Sequence, residues 1–153
     1  MIRETTYNTK ELRQEIAAEV GRPIPIIKRL RMGGNGSQRL VIVEAFKDLE
    51  VLIDVDNRSK FCNIELRENG VILHFRSRLE SFAWVVPFHI LSLFKSDDSL
   101  SIYAGAQFVR VKAAHNSMLN HKFINKILKL KAEKYTQQNE LKLNYGKDYT
   151  HRN

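Results

Sequence analysis

The chain has a single cysteine, Cys62, in 153 residues. One thiol cannot build an intramolecular disulfide framework, and its solitude fits a reducing compartment. Within a strand-like pattern it reads as a small buried hydrophobe rather than a nucleophile. Long apolar runs are also missing. The longest, 82–94, is interrupted by Pro87, His89 and Ser92, and it falls short of the roughly 18–20 residues that a membrane span needs. The first ten residues carry no apolar region of the signal-peptide kind. The expectation is a soluble, cytoplasmic protein with no transmembrane segment.

Catalytic and metal motifs are lacking too. None of His74, His89, His115, His121 and His151 sits in H-E-x-x-H or at ligand spacing from a cysteine. His115 and His121 are six residues apart, which is poor spacing for one helical face. There is no G-x-S-x-G elbow. Gly33-Gly34-Asn35-Gly36-Ser37 has no Lys-Ser or Lys-Thr pair, and the β-branched run 39–46 follows it instead of a helix. It is therefore no phosphate loop, and it reads as a flexible hairpin loop or linker. The chain is expected to be no enzyme and to need no metal or cofactor.

What is present is a domain-sized, globular composition, 43% hydrophobic. The net charge of +8 sits at the ends. Residues 1–38 hold seven basic and four acidic side chains, residues 39–116 ten of each, and residues 117–153 eight and three. A basic surface attracts nucleic acid, anionic lipid or an acidic protein, or it simply solvates the chain.

The middle of the chain alternates with period two, as half-buried strands do. Cys62, Ile64 and Leu66 alternate with polar residues, Asn69-Gly70 reads as the turn, and Val71, Leu73 and Phe75 share the next inner face. Phe82, Trp84, Val86 and Phe88 form one face of a strand that looks covered on both sides. Pro87 marks its end or an edge. Residues 89–94 read as a single turn, and 100–104 and 107–113 as two more strands. Residues 40–55 read as two strands turned at Lys47-Asp48, a buried helix being the alternative. A helix then starts near Asn116 or Ser117, with Leu119, Phe123, Ile124, Ile127, Leu128 and Leu130 inward. Lys122, Lys126 and Lys129 lie on the opposite side. After Leu130, Lys131 and Lys134 break the apolar stripe, so the helix ends there or runs past the body into water.

Several strands closed by one C-terminal amphipathic helix resemble the pleckstrin-homology-like (PH-like) superfold. The segment Trp84-Val85-Val86-Pro87-Phe88-His89-Ile90-Leu91-Ser92-Leu93 is similar to the I-P-(aromatic)-x-x-I-x-x-I stretch of bacterial PH-like domains, and the resemblance covers about residues 39–135. It implies an α+β fold: a strongly bent antiparallel sheet or barrel of about seven strands, closed by the helix, with an extra N-terminal helix. It implies a binding role rather than phosphoinositide recognition, because the loop between the first two strands would be only Lys47-Asp48.

Three segments follow from this reading: 1–38, 39–135 and a polar tail, 136–153, expected to be disordered. In the first, Asn8 and Glu11 have capping-box spacing, Leu12, Ile16 and Val20 form a narrow stripe, and Gly21 and Pro23 stop the helix. Residues 24–32 read as a strand or a basic linker. Leu141, Leu143, Tyr145 and Tyr149 are the tail's only apolar anchors. The expected function is a non-enzymatic, PH-like binding or scaffold module that engages a protein or anionic partner, using its neutral sheet edge and final helix. The alternative is an RNA-associated protein using the basic ends, and peripheral contact with an anionic membrane is the less favoured third. The candidate partner-binding residues are Lys28, Arg29, Arg31, Lys122, Lys126, Lys129, Lys131 and Lys134.

Overall fold

The computed structural model describes residues 1–54, 60–115 and 117–150. Eight strands form one antiparallel sheet: β1 (Ile2–Glu4), β2 (Leu40–Ala45), β3 (Phe61–Arg67), β4 (Gly70–Ser77), β5 (Glu80–Pro87), β6 (Leu91–Lys95), β7 (Ser99–Ala104) and β8 (Gln107–Ala113). Four helices accompany them: α1 (Lys10–Val20), α2 (Ile26–Arg31), α3 (Lys47–Asp54) and α4 (His121–Thr150). The strand order is β1-β5-β4-β3-β2-β8-β7-β6.

The sheet is strongly curved. β5 and β6 stand far apart in that order, yet only residues 88–90 join them. Trp84 Nε1 on β5 donates to Gln107 Oε1 on β8 at 3.2 Å, across three intervening strands. In a flat sheet those strands would stand roughly 19 Å apart at about 4.8 Å per step. The concave side holds the main core, with Trp84 against Phe46 and with Leu49, Ile53, Phe123, Ile124 and Ile127 over the strands. Of the bent sheet or barrel expected, the sheet occurs and barrel closure does not. The free edge of β5 is taken by β1, whose Ile2 lies opposite Trp84, so β6 remains an edge of an open sheet.

On the convex side, α1 lays Leu12, Ile16 and Val20 over Ile72, Ala83 and Val85, so β5 is covered on both faces. Thr9 caps this helix, its Oγ1 accepting from Leu12 N at 3.2 Å, where Asn8 was the expected cap. Gly21, at φ 82°, ends it.

Several local expectations are overturned. Residues 47–54 form α3, not a second strand, because Leu49 and Ile53 at helical spacing reach the core; tertiary burial overrides strand propensity. The link between β2 and β3 is therefore residues 46–60, not Lys47-Asp48. Residues 91–95 are a strand, β6, paired with β7. The β3–β4 turn consists of Glu68 and Asn69, and Gly70 already belongs to β4. Residues 26–31 are a short helix, neither strand nor linker. The 33–37 stretch is tied down rather than loose. Asn35 and Ser37 exchange main-chain bonds with Leu66 and Ile64, filling the β3 edge beyond Cys62 that β2, which starts only at Leu40, leaves open.

α4 begins later than expected. Asn120 Oδ1 accepts from Phe123 N at 3.2 Å, whereas Ser117 Oγ donates to the Ala114 carbonyl. Asn116 lies outside the described residues. Leu128, expected inward, is 46% exposed. At about 100° per residue it sits some 40° beyond Ile124, outside the stripe that meets the sheet. The helix continues to Thr150, through most of the segment expected to be a disordered tail. Residues 135–143 are all exposed, so this part of α4 projects past the sheet. Among the described residues no helix is long and apolar enough to cross a membrane.

Candidate partner-binding surface

α2 is set by its flanks. Pro25 supplies the fixed φ that favours a helix start, and Ile24 before it is buried in the core. At the other end Gly33 and Gly34 adopt φ of 74° and 95°, and Gly34 N donates to Arg29 O at 2.8 Å. Between these anchors none of the six helical residues is buried. Ile26, Ile27 and Leu30 are 67%, 66% and 77% exposed, with Lys28 and Arg31 exposed beside them.

α4 lies alongside. Lys126 Nζ donates to the carbonyls of Gly33 and Gly34 at 3.1 and 3.3 Å, tying α4 to the end of α2. Lys28 of α2, Met32 just after it, and Lys126, Lys129, Leu130 and Glu133 of α4 line a hollow of about 370 Å³. Of the eight residues singled out in the sequence, the structure brings Lys28, Lys126 and Lys129 into this hollow. Lys122 is exposed further up α4, and Arg31 is exposed on α2. Arg29 is half-buried, and its Nε has no hydrogen-bond partner among the described residues.

Lys131 and Lys134 belong elsewhere. Lys131 Nζ donates to the Leu91 carbonyl. Both lysines line a separate hollow of about 530 Å³ with Glu19, Asn69 and His89. The basic residues of α4 thus divide between two flanks of the helix instead of forming one stripe. Lys126 is a structural tie, so Lys28, Lys122, Lys129 and Arg31 carry the outward charge.

Sequence reasoning missed the apolar half of this surface. Ile26, Ile27 and Leu30 looked like strand or linker residues. The available signal was length: Pro25 and Gly33 leave room for less than two helical turns, too few for both a buried and a solvated stripe.

A second basic hollow lies on the convex side of β3–β5 and was also missed. It has a volume of about 450 Å³, and Arg39, Phe61, Asn63, His74, Arg76 and Ser81 are among its lining residues. Beside it His74 Nε2 meets Glu65 Oε2 at 2.8 Å, and Arg67 Nε meets Glu65 Oε1 at 2.6 Å. Burial works against ionisation of Glu65, but the His74 hydrogen bond and the Arg67 charge together outweigh it and hold the carboxyl below its ordinary value. Cys62 is a buried core residue, and burial pushes its thiol up to about 12.

Among the described residues no three His, Cys, Asp or Glu side chains group closely enough to hold a metal ion. No protein-family model, no curated protein and no solved structure matches the chain.

Proposed function

We propose that this protein is a non-enzymatic binding module of PH-like architecture that captures an acidic protein partner on the surface made by α2 and α4. The observation that carries this reading is α2 itself. A helix that buries none of its residues, and exposes three large aliphatics between basic ones, gains nothing for the fold from those aliphatics. Exposed apolar groups framed by charge have the composition of a protein-docking patch. The seven strands β2–β8 followed by α4 support the PH-like assignment. The β2–β3 link contains Lys47, Arg58 and Lys60 against Asp48, Glu50, Asp54 and Asp56, which disfavours phosphoinositide recognition through it. A membrane-surface role is less well supported, because three aliphatics on a six-residue helix offer a small apolar face for a bilayer.

The test replaces Ile27 and Leu30 with Ser, and separately Lys122 and Lys129 with Glu. All four side chains are exposed, so both variants should melt within about 2 °C of wild type, as surface changes usually do. Affinity capture from the native extract should recover a protein partner with the wild type and lose it with both variants. If both variants retain every partner, the α2–α4 surface is not the binding site.

A further inference from the structure

The hollow on the convex side of the sheet has a construction that the fold does not require. The guanidinium carbon of Arg39 lies over the Phe61 ring, 3.9 Å from its centroid. The Phe61 ring also stacks with His115 at 5.8 Å between centroids and 23° between planes. Cys62 pairs with Phe75, so Phe61 and Arg76 lie side by side on the outer face, and Arg76 in turn lies opposite Ser81. Side chains so placed on neighbouring strands stand roughly 5 Å apart. Two guanidinium groups therefore border one hollow, and no carboxylate lines it. Among the described residues neither Arg39 nor Arg76 makes an ion pair, although five Arg or Lys pairs with carboxylates occur among them. The nearby carboxylate of Glu65 is already engaged by Arg67 and His74.

Two like charges on the border of one hollow repel each other, and an anion between them reverses the sign of that interaction. Arginine adds geometry to charge, because its planar fork matches phosphate oxygens in a bidentate fashion. Stacking on Phe61 holds the Arg39 plane in place before any ligand arrives, which lowers the ordering cost of binding. Arg39 is exposed, so the outer face of its plane is open to a second flat group. Nucleobases stack on arginine planes in this way. The volume lies in the range of small-molecule sites.

We infer that this hollow binds a nucleoside phosphate, the phosphate held by Arg39 and Arg76 and the base stacked on the Arg39 plane. The ligand is either a free nucleotide or one unit of a single strand, since both present the same chemistry. This site lies on the sheet face, away from α2 and α4, and does not depend on the protein-docking reading.

The experiment uses the full chain with four probes: AMP, inorganic phosphate, a fluorescein-labelled oligothymidylate and phosphatidylserine vesicles, read by calorimetry, fluorescence anisotropy and co-sedimentation at low salt. AMP or the oligomer should bind, and Arg39→Ala and Arg76→Ala should each weaken binding by about tenfold or more, the scale of a lost charge-assisted hydrogen bond. Arg39→Lys retains the charge without the plane, so it should weaken AMP more than inorganic phosphate. Lys95→Ala, at the far edge of the sheet, should leave AMP affinity within about twofold. Binding of AMP alone assigns a free nucleotide. Tighter binding of the oligomer, with the same dependence on Arg39 and Arg76, assigns a single strand. The inference is overturned if neither AMP nor the oligomer binds, if the two alanine variants bind as wild type does, or if inorganic phosphate competes as well as AMP. It is equally overturned if Arg39 and Arg76 are needed only for co-sedimentation with phosphatidylserine vesicles.

Discussion

At Gly70 the helix α1 and the strands β4 and β5 meet, and replacing it with alanine should destabilise the fold out of proportion to one methyl group. A Cβ at this position would lie 2.5 Å from Val20 Cγ1, 2.5 Å from the Val86 carbonyl oxygen and 3.0 Å from Pro87 Cα. Ordinary contacts between carbon atoms are near 3.5–4.0 Å. Val20 is fully buried against Ile72, Ala83 and Val85, so its methyl has little room to turn away. The other two atoms are main chain, fixed by the pairing of Gly70 with Pro87 and Val71 with Val86. Relief requires β5 to part from β4, or α1 to lift from the sheet and stretch the 2.8 Å bond from Asn69 N to Val20 O. Overpacking costs typically 1–3 kcal/mol, and the main-chain contacts put Gly70→Ala at about 3 kcal/mol. At about 2–4 °C per kcal/mol for a chain of this size, Tm should fall by roughly 6–12 °C. In a Val20→Ala background the Cγ1 contact is gone but the main-chain contacts persist, so the same change should still cost about 2 kcal/mol. Gly36→Ala is the matched control. Nothing lies within 4 Å of its added Cβ and its φ is outside the left-handed region, so stability should stay within about 0.5 kcal/mol of wild type or rise slightly. Thermal and urea unfolding followed by circular dichroism measure all of these. A Gly70→Ala protein that melts with the wild type would refute the close-packing account, as would full recovery in the Val20→Ala background.

Two further outcomes are expected. Ile127→Ala, at a fully buried position on α4, should cost about 2–5 kcal/mol, whereas Leu128→Ala next to it should cost at most about 1 kcal/mol because Leu128 is 46% exposed; equal losses in urea titrations would contradict the orientation of α4. Glu65 has its carboxyl held below the ordinary value of 4.5, so the folded chain binds fewer protons there than the unfolded one. Its contribution is complete above that ordinary value and is lost as pH falls through the lower folded one. The stability gap between wild type and Glu65→Gln should therefore be largest near neutrality and shrink steadily with acid, and a gap that widens below pH ~4.5 would reverse the sign of the reasoning.

Much of the fold is legible in the sequence wherever one periodicity acts alone. The alternation through Cys62, Ile64 and Leu66, and again through Val109 and Val111, meets a sheet with one face on the core, and these strands occur where the pattern puts them. The inner face of α4 is equally visible in Phe123, Ile127 and Leu130. Misreading sets in where segments are short or where tertiary contacts decide. Leu49 and Ile53 belong to a run rich in β-branched residues, but only burial against the far side of the curved sheet makes them helical. β1 has three residues and no pattern of its own; it exists because β5 offers an edge. The basic residues were legible as residues but not as a site. No spacing reveals that Lys126 serves the carbonyls of Gly33 and Gly34, or that Arg39 and Arg76, thirty-seven positions apart, border one hollow.

The treatment of sheet edges bears on where a partner can dock. An exposed edge presents unpaired main-chain groups that can accept another strand. Here β1 covers β5, and Asn35 and Ser37 satisfy the stretch of β3 that β2 leaves unpaired. β6 is the edge that remains at the other end of the sheet, but it has only five residues and ends at Lys95, a short, charged edge of the kind that resists strand addition. Its exposed Phe94 makes an edge-to-face contact with Tyr103, 6.1 Å between centroids, on the neighbouring strand. Main-chain recognition is thus restricted at these edges, and two exposed surfaces carry the side-chain chemistry proposed for binding. One is the aliphatic and basic surface of α2 and α4, behind the concave core. The other is the arginine-lined hollow on the convex face. The curved sheet lies between them, so a partner on the first need not displace a ligand from the second. Coupling between the two would have to pass through the packed strands, with Gln38, next in sequence to Arg39, as the nearest bridge: its side chain bonds Ser117, Met118 and Asn120 at the start of α4.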